Sequence, residues 1–319
     1  MKKMIITDDI SQIMQGYGSA PWFGTVLKTM PPEFAKTYTE GIANILSPYF
    51  DVSVIPGEEI VRGLTQLVCG TMPKTDVVIS CEPAYITKAS MPTKEVVQLD
   101  LSMAMGLNPN EKVIGGSSDN KVVPRWGSVR AGRDVRDIWV EAAGASYFRS
   151  AVIADEVTFT GETIYKAKYS IRGVATFDVN IDKAATYIAT TEAKEFLASK
   201  GIELYSVLTY DLGASGELFD TLDARDLTLL PQGGRTVEVD GRIMKQPRFN
   251  PFGSARARFG DDVDETAIAK SALDLNIKLF QELEEINGRA ISTLELAEPI
   301  FNLPYNKSVA NALKEIRGR

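Results

Sequence analysis

Residues 50–80 read FDVSVIPGEEIVRGLTQLVCGTMPKTDVVIS. The opening FDVSVIPG is a β-branched apolar run that Pro56 and Gly57 stop, which predicts a strand. In the following stretch Ile60, Val61, Leu64, Leu67 and Val68 recur at three- and four-residue spacing and share one helical face. TDVVIS then has the short, nearly continuous apolar core of a strand buried on both faces. Strand, helix and strand in that order predict a parallel sheet with crossover helices.

The pattern extends in both directions. EVVQLDLS (95–102) reads as another buried strand, and KKMIIT (2–7) as a short one. In residues 31–46, Phe34, Tyr38, Ile42 and Ile45 lie at helical spacing behind Pro31 and Pro32, which suit a helix start. An α/β domain is therefore expected over 1–105. Residues 106–133 are rich in Gly, Asn, Ser and Pro and read as a loop or extended arm. An α+β domain is expected over 134–319.

Within that second part, 133–153 resumes a helical pattern through Val135, Ile138, Trp139 and Ala142. EVTFTG (156–161) and the residues after it read as β, with Ala175, Phe177, Val179 and Ile181 alternating against polar neighbours. Residues 190–213 predict a Thr-capped helix, a stop at Gly201 and a strand. Asp240-Gly241 signals a hairpin. A long C-terminal helix opens near Asp262, with Glu265 three residues on, and carries Ile268, Ala272, Leu275, Leu279, Leu283 and Ile286 in one stripe. The fold class is thus mixed α/β. It has an N-terminal α/β half with a mainly parallel sheet, a β-richer second half and a long buried C-terminal helix.

Composition narrows the chemistry. The chain has 319 residues, 44% of them hydrophobic and 24% charged, as in a globular protein. No apolar run reaches the roughly 18 residues that span a bilayer. The basic start has only a short apolar stretch, so no signal peptide is expected and the chain is expected in the cytoplasm, or in a virion assembled in a host cytoplasm. A net charge of −7 disfavours nucleic acid except through a local basic patch, and no membrane partner is expected. Cys69 and Cys81 sit in apolar settings and read as free thiols. Histidine is absent, which excludes Ser-His, Cys-His and His-metal mechanisms.

Two sets of residues attract attention. The first is WGSVRAGRDVRDIW (126–139), preceded by Arg125. If it is helical, Arg130 meets Asp134 and Arg133 meets Asp137 as ordinary surface pairs. The same residues, with Trp126, Arg136 and Trp139, also have interface chemistry, because Trp and Arg are enriched at the energetic centres of interfaces. Arg248, Arg256 and Arg258 repeat the theme. The second set is acidic: Asp8, Asp9, Glu82 and Asp100 follow expected strands, where carboxylates could hold Mg²⁺. Lys121, in IGGSSDNK, could then reach a phosphate, with Asp9 as its catalytic partner. No GxGxxG, Walker A or GxSxG pattern is present.

Two functions follow. One is a self-assembling structural subunit, such as a virion capsid or tail component, without catalytic residues or cofactor, whose partners are copies of itself. The other is a cytosolic, histidine-independent, Mg²⁺-dependent α/β hydrolase or phosphoryl-transfer enzyme working through strand-end carboxylates. The sequence favours the first.

Overall fold

The computed structural model describes residues 1–8, 10, 32–75, 77–81, 85–86, 90–98, 121–123, 150–174, 180–212, 220–230, 234–240, 242–296 and 299–318. The chain is a mixed α/β protein that groups into two compact units, each drawn from separated stretches. The first holds Met1–Val54, Leu107–Arg125 and Asp220–Arg319, and the second holds Ile55–Gly106 and Trp126–Phe219.

The second unit is built on five parallel strands: β3 (Val77–Ser80), β4 (Glu95–Gln98), β6 (Ser150–Thr158), β7 (Asn180–Thr190) and β8 (Glu203–Tyr210). Their order is β4-β3-β6-β7-β8. Its helices are α2 (Gly57–Thr71), α3 (Glu162–Val174) and α4 (Thr191–Ser199). Val77, Ile79, Ala151 and Ile153 pack with Ile164 and Ala167 of α3 and with Ala193 and Leu197 of α4 in one apolar cluster. The opposite face takes α2, where the Tyr187 hydroxyl donates to Glu59 at 2.7 Å. Burial, then that carboxylate, hold the Tyr187 phenol well above its usual range.

The expected strand TDVVIS and the helix before it are both present, and β3 is buried at every position. Thr190 caps α4, accepting the Ala193 amide at 3.0 Å, and Gly201 follows with φ +68°. Two stretches differ from expectation. Residues 150–153 begin β6 instead of continuing a helix. Residues 162–174 form α3 instead of β structure, because the turn at Gly161 ends β6 and Ile164, Ala167 and Lys168 then recur on a buried helical face. The expected alternation at 175–179 lies outside the described residues, as does the arm at 106–133 except for 121–123.

The first unit contains two three-stranded sheets. One runs β2 (Asp51–Ile55), β1 (Lys3–Thr7), β9 (Asp220–Asp223), with β1 and β9 parallel. Ile55, the last residue of β2, is assigned to the second unit. The other runs β11 (Arg242–Gln246), β10 (Arg235–Val239), β5 (Lys121–Val123), all antiparallel. Asp240 turns the β10–β11 hairpin with φ +50°. Its helices are α1 (Pro32–Leu46), the short α5 (Arg256–Phe259), α6 (Glu265–Asn287) and α7 (Val309–Arg317).

The long helix α6 is capped by Asp264, two residues after the expected start, and stops at Gly288. Ile268, Ala272, Leu279 and Leu283 of its expected stripe are buried. Asn276 is fully buried among them. Its amide nitrogen donates to the carbonyls of Leu227 (2.9 Å) and Ala272 (2.7 Å), and its oxygen accepts the Leu229 amide at 2.8 Å. Tyr38 of α1 donates to Glu282 of α6 at 2.5 Å, and burial followed by that carboxylate raise its phenol. Among the described residues no helix is long and apolar enough to cross a membrane.

Candidate functional site

Strand order decides where a ligand meets an open parallel sheet. From β3 the chain goes outward to β4, then returns to the other side of β3 as β6 and continues through β7 and β8. The direction therefore reverses between β3 and β6. The crevice at the carboxyl ends of two such strands is the binding position in doubly wound sheets.

Those two ends are unequal. The β3–β6 ladder finishes at Ser80 opposite Ala154, with the Cys81 amide donating to the Ala154 carbonyl at 2.8 Å. The β6–β7 ladder continues to Thr158 opposite Ala189. Asp155, Glu156, Val157 and Thr158 thus have β7 on one side. On the other side no described strand pairs with them.

This overhang carries the acids. Asp155 is 9% exposed and Glu156 is 4% exposed. The Asp155 carboxylate accepts the Glu156 amide at 2.9 Å, and the Glu156 carbonyl accepts the Thr186 hydroxyl at 3.0 Å. Successive residues of a strand face opposite ways. Ala151 and Ile153 face α3 and α4, so Asp155 does too, while Glu156 faces the α2 side. Ser80 shares that α2 side, because Val77 and Ile79 face the other.

Beyond the overhang the chain turns through Phe159, Thr160 and Gly161 into α3. Gly161 has φ +77°, and a Cβ there would stand 2.8 Å from Leu197 Cγ and 2.9 Å from Phe196 Cδ1. Only glycine fits both demands. The Phe159 carbonyl accepts the Thr190 hydroxyl at 2.5 Å, which ties the turn to the α4 cap. The Thr160 hydroxyl accepts the Glu162 amide at 3.3 Å, and the Gly161 carbonyl accepts the Tyr165 amide at 3.0 Å as the helix begins. Glu162 pairs with Lys166 one turn on, at 3.1 Å. A helix start reached through such a turn presents partial positive charge and outward amides, an anion-binding geometry. Buried carboxylates, hydroxyls and a helix N-terminus thus follow one another along nine residues, Asp155 to Thr163.

The acids expected from sequence distribute differently. Asp8 is buried in the first unit and accepts the Thr39 hydroxyl at 2.8 Å. Asp9, Glu82 and Asp100 lie outside the described residues, as does the side chain of Lys121. Glu82 follows β3 and Asp100 follows β4 in the second unit, whereas Asp8 follows β1 in the first. Among the described residues no three acidic or cysteine side chains gather as metal ligands.

Arg125, Trp126, Arg130, Arg133, Arg136 and Trp139 also lie outside the described residues. Of the second arginine set, Arg258 is turned into its own unit, paired with Asp220 and with Asp226 at 3.9 Å. The Arg248 amide donates to the Asp226 carbonyl at 3.2 Å, and Arg256 is exposed. Sequence reasoning passed over Asp155, Glu156, Thr158 and Gly161. The signal was present in AVIADEVTFTGETI (151–164): an apolar strand, two acids, then a hydroxyl- and glycine-bearing turn before a helix.

No family model matches the chain, and no curated protein is similar to it. Among solved structures, an orotate phosphoribosyltransferase from Aeropyrum pernix is similar over 48% of this chain and 70% of its own, at 18% identity and a TM-score of 0.29.

Proposed function

We propose that the second unit is the catalytic part of an α/β enzyme that binds a phosphorylated ribose and transfers the phosphoribosyl group at its anomeric carbon. The observation that carries this reading is the buried Asp155–Glu156 pair on the β6 overhang, immediately before the turn into α3. Strand-end carboxylates accept hydrogen bonds from ribose hydroxyls, and a helix N-terminus takes phosphate. A ligand carrying both groups fits the order of the residues: a sugar hydroxyl on one of the acids, phosphate on the turn at Thr160–Thr163.

The absence of histidine agrees with this chemistry. In dissociative substitution at an anomeric carbon, the bond to the leaving group breaks and its electron pair departs with that group. The positive charge spreads onto the ring oxygen until a nucleophile bonds to the same carbon. An oxocarbenium-like state needs nearby negative charge more than a proton shuttle. Buried carboxylates at the ribose supply that charge in a setting of low dielectric.

Magnesium is the metal this reading expects, since it takes one or two carboxylates and completes its shell with substrate phosphate and water. Asp155 and Glu156 face opposite sides of β6, so a single ion would use one of them. The competing expectation, a self-assembling capsid or tail subunit, rests mainly on the arginine–tryptophan stretch outside the described residues. The described residues favour the enzyme.

The test is calorimetric titration of the full chain with ribose 5-phosphate, ribose and inorganic phosphate, each with and without Mg²⁺. Ribose 5-phosphate is expected to bind most tightly, and Asp155→Asn and Glu156→Gln to weaken it at least tenfold. Equal binding of inorganic phosphate and ribose 5-phosphate, unchanged in both variants, would overturn the reading.

A further inference from the structure

The five-stranded sheet of the second unit ends in two unequal edges. β4 is four residues long, whereas β8 has eight and pairs only with β7 among the described residues. β7, one strand further in, is buried from Ala184 to Thr190. Along β8, by contrast, Glu203, Val207 and Thr209 are exposed, Val207 at 39%. The edge is thus open to solvent. An edge strand turns every second residue's N–H and C=O outward, about four of each over this length, and so offers a template to another strand. Proteins blunt such edges with Pro, Lys or a charge in mid-strand. ELYSVLTY has no Pro, Gly or Lys, and its one charge, Glu203, stands at the first position. Its two tyrosines, valine and threonine all favour strand pairing.

We infer that β8 pairs antiparallel with β8 of a second copy of this chain across a two-fold axis, which joins the two sheets edge to edge. Two-fold antiparallel pairing is the arrangement in which one edge completes itself, and it closes at a dimer. The charges along the edge agree with the antiparallel sense. The start of β8 is acidic: Glu203 hydrogen-bonds the Tyr205 phenol, and Asp182 acts on the same group. The far end carries a cation: Lys194 of α4 donates to Thr209 Oγ1 at 2.8 Å, and Thr209 Oγ1 meets Ser206 Oγ at 2.8 Å. The acids nearby, Asp211 and Glu192, accept from the Thr191 hydroxyl and the Leu212 amide. Pairing centred on Ser206 sets Glu203 of each copy opposite Thr209 of the other, and so beside its Lys194, twice per dimer. The same register sets Leu204 opposite Leu208 and Tyr205 opposite Val207, apolar pairs of the kind that stabilise a ladder. A parallel pairing would instead bring the two Glu203 carboxylates together.

The test is sedimentation velocity of the full chain over a range of concentrations, with hydrogen exchange read at each. A dimer is expected, and the β8 amides should exchange more slowly as the dimer forms while those of β4 do not change. Val207→Lys places an ammonium on the edge and should raise the dimer dissociation constant at least about tenfold, with the melting temperature of the dilute protein unchanged. Glu203→Lys and Lys194→Glu should each weaken the dimer about 2- to 30-fold, since each loses an exposed ion pair at two symmetric places. The double variant restores both pairs with their signs exchanged and should recover the parent constant. A chain that stays monomeric at every concentration would overturn the inference. So would a dimer whose β8 amides exchange as fast as the monomer's, or a double variant no tighter than the single ones. The exchange measurement needs no substitution, so a variant that folds poorly leaves the test intact.

Discussion

Replacing Gly161 by alanine tests the turn on which the site depends. The backbone there has φ +77°, a conformation that costs an L-residue about 1–2 kcal/mol. The new Cβ would also stand 2.8 Å from Leu197 Cγ, 2.9 Å from Phe196 Cδ1 and 3.3 Å from the Ala193 carbonyl oxygen. Leu197 is fully buried, and Ala193 is held by the Thr190 cap, so neither has room to withdraw. Overpacking of this kind costs about 1–3 kcal/mol. The sum is about 2–5 kcal/mol. Gly201 separates the two contributions, because its φ is +68° but its added Cβ would meet nothing within 4 Å. Gly201→Ala should therefore lose only about 1–2 kcal/mol. Urea denaturation followed by far-ultraviolet circular dichroism measures both variants. Gly161→Ala should lie about 1–3 kcal/mol below Gly201→Ala. Equal midpoints and slopes for the two variants would refute the packing argument.

Asn276→Leu should cost about 2–5 kcal/mol, because it leaves the Leu229 amide and the Leu227 carbonyl buried without their partner; chemical denaturation measures the loss, and a neutral result would mean that water replaces the side chain. Thr190→Ala removes both the α4 cap and the bond to the Phe159 carbonyl, and should lower stability by about 1–3 kcal/mol while weakening ribose 5-phosphate binding, read by thermal shift and calorimetry. Tyr187 gives a pH signature. Burial and then Glu59 favour its neutral phenol, so its folded pKa lies above the unfolded value of about 10. Its contribution is complete below about pH 10 and is lost as pH rises through the folded value. Melting curves should fall less steeply above pH 10 in Tyr187→Phe than in the parent, and parallel curves would reject the linkage.

Much of the architecture is written in local pattern. The α2 stripe from Ile60 to Val68, the buried run of β3, the cap and stop around α4 and the Asp240 hairpin are each set by neighbours in sequence. Each was legible because its cause lies within a few residues. α3 was missed because its sequence mixes Tyr, Lys and Ser with few apolar residues; among its described side chains Ile164 and Ala167 enter the apolar cluster and Tyr165 packs against it. Its identity comes from the turn before it and the sheet beneath it. The grouping of Met1–Val54 with Asp220–Arg319 depends on β1 pairing with β9, more than 200 residues away, and no local period records that. The same holds for the site. Strand-end acids can be read from sequence, but which strands adjoin, and where their order reverses, is a property of the assembled sheet. That is why Asp8 and Glu82 looked alike in the sequence although β1 and β3 belong to different units.

The uneven ends of β3 and β6 make the crevice a matter of chain length. Adding two residues to β3 in register would extend its ladder alongside Asp155 and Glu156. The opening would then zip shut without any change to the acids themselves. On the proposed reading, a short insertion after Ser80 that continued the strand would weaken ribose 5-phosphate binding without touching a carboxylate.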